Sequence, residues 1–284
     1  MIRLALVCAA AWLACAPAAL AAEDALLARG AYLARIGGCV ACHTAPGGAA
    51  LAGGLAIATP FGTITTPNIT PDRATGIGAW SEAEFRHALH DGIRPDGSPL
   101  YPAFPYPSFT GLRDGDVAAI HAWLMTQPAV HRLDTPPALR FPYSVRPLLW
   151  VWRALFFHPG RIPVDPAHDA AWNRGAYLVQ AVAHCGECHS PRNALGGIIA
   201  GRALAGAASG PDGLAVPDIT PDPVHGIGGW SADDLVTLLR TGQTPEQDTV
   251  SGAMAEAVDG ELKYLTPDDA HAIAVWLLAQ KPIR

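Results

Sequence analysis

Apolar positions along this chain recur mostly at helical spacing, and the same series of predicted elements occurs twice. An Ala-rich amphipathic stretch predicts a helix over about Asp24 to Ile36, and another over Trp172 to Ala183. Each runs into a Gly/Pro-rich loop. A serine that reads as an N-cap follows, Ser81 in one series and Ser231 in the other. The first-turn acids behind them, Glu82 and Glu84 or Asp233 and Asp234, suit the positive end of a helix dipole. These helices are expected to stop near Gly92 and Gly242. A last helix starts near Asp114 or at Thr266-Pro267 and carries Trp123 or Trp276 on its apolar side. Strand-type alternation is scarce, so the fold class is mainly α.

The repetition is literal as well as periodic. Arg29-Gly30-Ala31-Tyr32-Leu33 returns as Arg174-Gly175-Ala176-Tyr177-Leu178, and Asn68-Ile69-Thr70-Pro71-Asp72 as Asp218-Ile219-Thr220-Pro221-Asp222. Gly76-Ile77-Gly78-Ala79-Trp80-Ser81 matches Gly226-Ile227-Gly228-Gly229-Trp230-Ser231, and the run from Asp116 to Leu124 parallels Asp269 to Leu277. The order is the same, so two homologous domains are expected in tandem, 23–132 and 168–284, each with its own core. The four tryptophans read as core packing. Residues 133–167 form a Pro-rich linker. Inside it Val145 to Phe157 is strongly apolar, but thirteen residues broken by Arg146 and Arg153 are too short to span a bilayer. It predicts a short helix packed across both domains, or an exposed patch for a partner subunit or the membrane surface.

Composition narrows the class. Half the residues are hydrophobic, but many are alanine, and 29 Gly with 26 Pro indicate a loop-rich globular chain. A formal charge of −6 argues against nucleic acid as a partner. Residues 1–22 read as a secretory signal, with Arg3 ahead of an Ala/Leu-rich core from Leu4 to Leu20 and small residues at Ala19, Ala21 and Ala22. A retained N-terminal anchor and a faint lipoprotein box at Leu13-Ala14-Cys15 are the other readings of that stretch. Export to the periplasm is the expectation. Removing the leader removes Cys8 and Cys15, which leaves four cysteines and no disulfide framework.

Those four cysteines carry the chemistry. Cys39-Val40-Ala41-Cys42-His43 and Cys185-Gly186-Glu187-Cys188-His189 each hold two thiols three positions apart, with a histidine directly after the second. That spacing is the attachment signature of a c-type haem: the thiols add to the porphyrin vinyl groups and the histidine meets the iron. A zinc site, a redox dithiol or chance would explain one such run; two inside a longer repeat point to two covalently bound haem c groups. Cys39, Cys42, Cys185 and Cys188 are then the thioether sites, and His43 and His189 the proximal iron ligands.

The opposite axial ligand differs between the halves. Met254 lies where a loop after His189 could fold over the open iron face, and it reads as the distal ligand of the second haem. The 150-residue offset that aligns Gly92 with Gly242 carries Met254 onto Phe104, which cannot bind iron. Met125, beside Trp123 near the end of its helix, reads as packing. The distal ligand of the first haem therefore stays open, with His87, His90, His121 and His131 as nearby candidates. No nucleophile–base pair, phosphate loop or carboxylate metal cluster is readable elsewhere.

At this point the chain resembles the cytochrome c subunits of bacterial periplasmic dehydrogenases of the alcohol, gluconate and aldehyde type. The residues that carry the resemblance are Arg29-Gly30-x-Tyr32-Leu33, Cys39 to Gly48, Ala58 to Thr63, Asn68 to Asp72, Leu155 to Gly160 and Gly252 to Glu256. The resemblance implies a subunit that takes electrons from a separate dehydrogenase catalytic subunit with a flavin, quinone or molybdenum cofactor. It passes them to a downstream quinone, cytochrome or oxidase, and it is not itself the catalyst. Two departures stand out: many members carry a third haem domain and a C-terminal membrane helix, and their first domain has methionine where this chain has Phe104. The competing expectations are a haem enzyme, such as a peroxidase or a thiosulfate or sulfur oxidoreductase, and a ligand-binding sensor, either using an open first haem.

Overall fold

The computed structural model describes residues 21–211 and 213–283; the predicted leader lies almost entirely outside the described residues. Helix α1 covers residues 21–36 and leads into the short α2 (Cys39–Cys42). A hairpin of β1 (Ala56–Thr59) and β2 (Gly62–Thr65) follows, then α3 (Glu82–Asp91), α4 (Tyr106–Phe109) and α5 (Asp114–Met125). Residues 133–167 contribute β3 (Ala138–Leu139) and α6 (Leu148–Phe156). The second series is α7 (Ala170–Tyr177), α8 (Gly186–His189), α9 (Ala232–Thr241), α10 (Gly252–Gly260) and α11 (Pro267–Leu278).

Local chemistry sets the helix ends. Ser81 and Ser231 both form capping boxes, with Glu84 and Asp234 reaching back to the serine backbone. Gly92 and Gly242 close the same helices with φ of 61° and 78°. Such caps contribute about 1 kcal/mol each, so they position α3 and α9 without accounting for their stability.

The repeated Arg-Gly-Ala-Tyr-Leu run is explained by a helix crossing. A Cβ on Gly30 would overlap the Ala119 carbonyl and crowd Trp123; one on Gly175 would do the same to Ala272 and Trp276. Glycine thus lets α1 lie directly on α5, and α7 on α11. Leu33 and Leu178 are fully buried beneath these crossings.

The arginine and tyrosine of the same run build a reciprocal clasp. Arg29 pairs with the buried Asp116 of α5, and Arg174 makes two bonds of 2.8 and 2.7 Å to Asp269 of α11. The tyrosines reach across. Tyr177 donates to Asp116 at 2.5 Å and Tyr32 donates to Asp269 at 2.6 Å. Burial pushes the Asp269 carboxyl up, but the bonds from Arg174 and Tyr32 outweigh it and hold the group below the ordinary aspartate range.

Three features depart from the sequence-based expectation. Separate cores were expected, but the buried side chains form one contiguous cluster running from Leu33 and Phe109 to Tyr177, Val182 and Ile273. The tyrosine crossover draws the two sets of helices together. Second, a three-stranded antiparallel sheet is present, in the order β1-β2-β3, with Ile57 opposite Ile64 and Thr63 opposite Ala138. Its strands run two to four residues and their β-branched residues are only half-buried, so the alternation of β1 is too short to register as a strand signal. Third, the helix before the second Cys-x-x-Cys-His run widens into a π-turn over Leu178–Val182, closed by Ala183 N–H to Leu178 C=O. From the repeated tyrosine to the first cysteine is one residue longer in this half (Tyr177 to Cys185 against Tyr32 to Cys39). The π-turn absorbs that extra residue.

Helix α6 lies where the linker helix was expected, and it has two faces. Its inner face ties both halves: Arg153 bonds the Asp91 carbonyl, Trp152 donates to the Leu195 carbonyl at 2.9 Å, and Phe156 sits over Gly197. Its outer face leaves Leu148, Trp150, Val151 and Leu155 about half exposed. Among the described residues no helix is long and apolar enough to cross a membrane.

Tyr177→Phe keeps the packing and removes one hydrogen bond to a buried carboxylate. Chemical denaturation of the intact protein is expected to show a loss of about 1.5–3 kcal/mol; an unchanged midpoint would mean the crossover does not hold the halves.

Candidate cofactor site

The two Cys-x-x-Cys-His runs fold as tight turns at the ends of α1 and of the π-turn. Gly38, at φ 78°, reverses the chain so that α2 can begin at Cys39. The corresponding residue before Cys185 is His184, which holds a φ of 39° despite its side chain. Each following histidine is fixed by one bond: His43 Nδ1 lies 2.8 Å from the Pro67 carbonyl, and His189 Nδ1 lies 2.9 Å from that of Pro217. A carbonyl can only accept, so Nδ1 carries the proton in both rings and Nε2 keeps its lone pair.

Pro67 and Pro217 directly precede the repeated Asn-Ile-Thr-Pro-Asp and Asp-Ile-Thr-Pro-Asp runs, which explains why those runs recur. Asn68 accepts from the Thr70 backbone and hydroxyl and donates to the Val130 carbonyl at 2.7 Å. Asp218 accepts from the Thr220 backbone at 2.6 Å. Thr70 and Thr220 are fully buried, and each accepts the N–H of the following Ile77 or Ile227. The loop is therefore stiff where it presents its carbonyl to the histidine.

Burial lowers the affinity of His43 and His189 for a proton, with the proline carbonyls opposing the shift; both stay neutral near pH 7, the form that binds a metal. Burial pushes the Cys39, Cys42 and Cys185 thiols up to about 12. A reactive dithiol has a depressed thiol, and burial moves these three the other way. Among the described residues no three His, Cys, Asp or Glu side chains are grouped as a metal-ion site.

The two turns lie near one another, with Glu261 beside both. A Cβ on Gly260, at the end of α10, would come within 2.9 Å of the Ala41 side chain, and Glu261 Oε1 lies 2.8 Å from where Gly38 would carry one. Glu261 bears electrostatically on Cys39, Cys42 and Cys185, and Cys42 on Cys188. Ser108 donates to Glu187 of the second turn at 2.7 Å. The carboxyl of Glu261 is pushed up to about 7 by burial.

The remaining predicted residues fall as follows. Met254 is in the first turn of α10, partly buried against the core, and not on a loop as expected. The segment reads polar, but Ser251 opens a helix there. The 150-residue offset holds in three dimensions: Leu100 N–H bonds Gly92 and Val250 bonds Gly242, while Arg94 bonds Ser98 and Thr244 bonds Asp248. Four residues beyond the Leu100/Val250 pair stand Phe104 and Met254. Phe104 packs edge-on against Phe109, ring centroids 5.4 Å apart. Met125 is the last residue of α5 and packs on the core. His87 pairs with Asp91 and His131 with Asp72, both largely exposed. His121 lies against Phe85, and His90 bonds Arg161 at 2.7 Å. Sequence reasoning did not single out Pro67, Pro217, His184 or Glu261. The prolines could have been found as the residues immediately ahead of a repeated run; Glu261 carries no such signal.

The cytochrome c family profile matches residues 27–128, a span that includes the first turn and its histidine. A diheme cytochrome c-type protein of Cereibacter sphaeroides is 40% identical over 255 residues, covering 88% of this chain and 84% of that one. This chain belongs to the cytochrome c family. The fructose dehydrogenase cytochrome subunit of Gluconobacter japonicus is 44% identical over 256 residues, 88% of this cytochrome and 52% of that subunit. A nicotinate dehydrogenase component of Pseudomonas putida is 44% identical over 254 residues, 89% of this cytochrome and 21% of that protein. The cytochrome thus spans only about a fifth to a half of those two relatives. Family membership implies covalently bound haem c, and the paired thiols beside a neutral histidine with a free Nε2 fit it.

A carboxyl raised in the folded state costs stability once it ionises. Stability of the haem-loaded cytochrome is therefore expected to fall as pH rises from about 4.5 to about 7 and then level off. Thermal melts across that range should show the decline in the native protein and a flatter profile in Glu261→Gln; parallel profiles would contradict the placement of Glu261.

Proposed function

We propose that this cytochrome carries two haem c groups, one in each of two tandem domains (23–132 and 168–284), and relays single electrons. The electrons pass from a dehydrogenase catalytic subunit to the respiratory chain in the periplasm. The observation that carries the reading is the pair of Cys-x-x-Cys-His turns, each with its histidine locked by a proline carbonyl and both near Glu261. In this reading His43 and His189 present Nε2 to iron, and the thiols of Cys39, Cys42, Cys185 and Cys188 form the thioethers. Met254 supplies the sixth ligand of the second haem.

The haem supplies a reversible one-electron centre when bound. What the chain adds is rigidity and proximity. Both histidines have their orientation fixed by backbone that is itself hydrogen-bonded, so little rearrangement accompanies a change of charge. The reciprocal Tyr–Asp–Arg clasp holds the two turns near one another, which favours a short internal electron step. Export is supported by the leader-like N-terminus. The half-exposed apolar face of α6, beside the exposed Phe141, supports a docking surface for a partner subunit or the membrane. The relatives are named for different substrates, among them fructose, gluconate and nicotinate, and the partner's substrate is left unassigned.

Mass spectrometry of the matured protein tests the haem count: two porphyrins per chain are expected, and Cys185→Ala/Cys188→Ala should lose one. A colourless product, or one that keeps both, would overturn the assignment. Met254→Leu is expected to lower the potential of one haem and leave the other unchanged, because a methionine sulfur raises it; spectroelectrochemical titration reads this directly. The relay role is tested by co-purification, with a catalytic subunit whose substrate reduces the haems as the expected companion.

A further inference from the structure

The two halves share one frame up to the residue that should complete each iron's coordination, and there they diverge. The turn closing α3 and that closing α9 match bond for bond through Leu100 and Val250. Four residues later the second half offers the thioether of Met254 and the first half offers the ring of Phe104. Phe104 is fixed in an aromatic stack, edge-on to Phe109, which is in turn edge-on to His184 at 5.4 Å.

No other described side chain holds the position that corresponds to Met254; His90 and His121 each keep a buried Nε2 without a hydrogen-bond partner, but both sit on other elements, α3 and α5. Met125 ends α5 and packs into the core. His121 is held between the Phe85 ring and the Trp80 backbone, and its counterpart in the second half, Ala274, is a fully buried core residue. His90 lines a surface pocket with Arg86, Thr110 and Arg161 and bonds that Arg161. His184 is held against the Gly37 backbone. His87 and His131 are exposed and paired with acids.

Resting on the two-haem reading above, we propose that the first haem has an open sixth position bordered by Phe104 and serves as a binding site for small neutral diatomic ligands of the carbon monoxide and nitric oxide class. The chemistry of the surroundings sets that class. Distal polarity and hydrogen-bond donors decide what an open haem binds, and Phe104 and Phe109 offer neither. An apolar setting penalises an anion that must shed water, so cyanide and azide bind less well than carbon monoxide. Phe104 and Phe109 also supply no acid or base to cleave a peroxide bond, so binding without turnover is the expected behaviour. The second haem, closed by Met254, stays an electron carrier.

The test is carbon monoxide titration of the dithionite-reduced, fully matured cytochrome, followed by its visible spectrum, with haem counted by mass. Two haems per chain with about one carbon monoxide bound, together with a high-spin resonance from the oxidised protein, is the expected result. Phe104→Met should abolish that binding and convert the high-spin signal to a second low-spin His/Met signal. Two haems with no carbon monoxide shift, or with a low-spin His/His signal, would overturn the proposal, and so would binding that persists undiminished in Phe104→Met. Should that variant fail to mature, the native titration and resonance spectrum decide. A mass short of two haems would instead defeat the two-haem reading on which this one rests.

Discussion

Two buried carboxylates hold this molecule in its working shape. Asp116 and Asp269 each take an arginine from their own half and a tyrosine hydroxyl from the other. Burying a lone carboxylate would be strongly unfavourable, and each becomes tolerable only when both partners arrive. The helix crossings at Gly30 and Gly175 bring the arginines within reach; only the packing of one half on the other brings the tyrosines. The interface between the halves is thus a condition of satisfying each half's own interior. That condition also sets Ala41 against Gly260 and gathers the two Cys-x-x-Cys-His turns around Glu261.

On this frame the histidines are fixed from the side away from their free nitrogen. The repeated Asn/Asp-Ile-Thr-Pro-Asp loops act as braces, spending their side-chain hydrogen bonds on their own backbone so that one proline carbonyl is immobile. A ligand so held changes its geometry little when charge arrives or departs. Rigidity at this point suits an electron carrier, and it follows from bonds several residues away from the histidine itself.

The halves are copies in frame and differ in detail, and the differences cluster near the cofactor turns. One extra residue in the second is taken up by a π-turn and leaves His184 in a left-handed conformation where the first has Gly38. Among the described residues the small sheet joins the first half to Ala138–Leu139 and has no three-stranded counterpart in the second. Phe104 stands where Met254 recurs. One frame thus recurs, and local substitutions make its two copies chemically unequal.

The repeated order of elements, their caps and the two Cys-x-x-Cys-His turns were legible in the sequence because each rests on residues close together in the chain: Ser81 with Glu84, Cys39 with His43, Gly92 ending its own helix. The identity of the cofactor class followed from spacing alone. The strands were not legible, since Ile57 and Thr63 gain their partners only across a turn and from the linker. Nor was the merging of the cores, the tyrosine crossover, or the seating of Glu261 between the turns. Those depend on pairings such as Tyr32 with Asp269, more than two hundred residues apart, where the free energy comes from desolvating both groups together and no local pattern records which partner will be met.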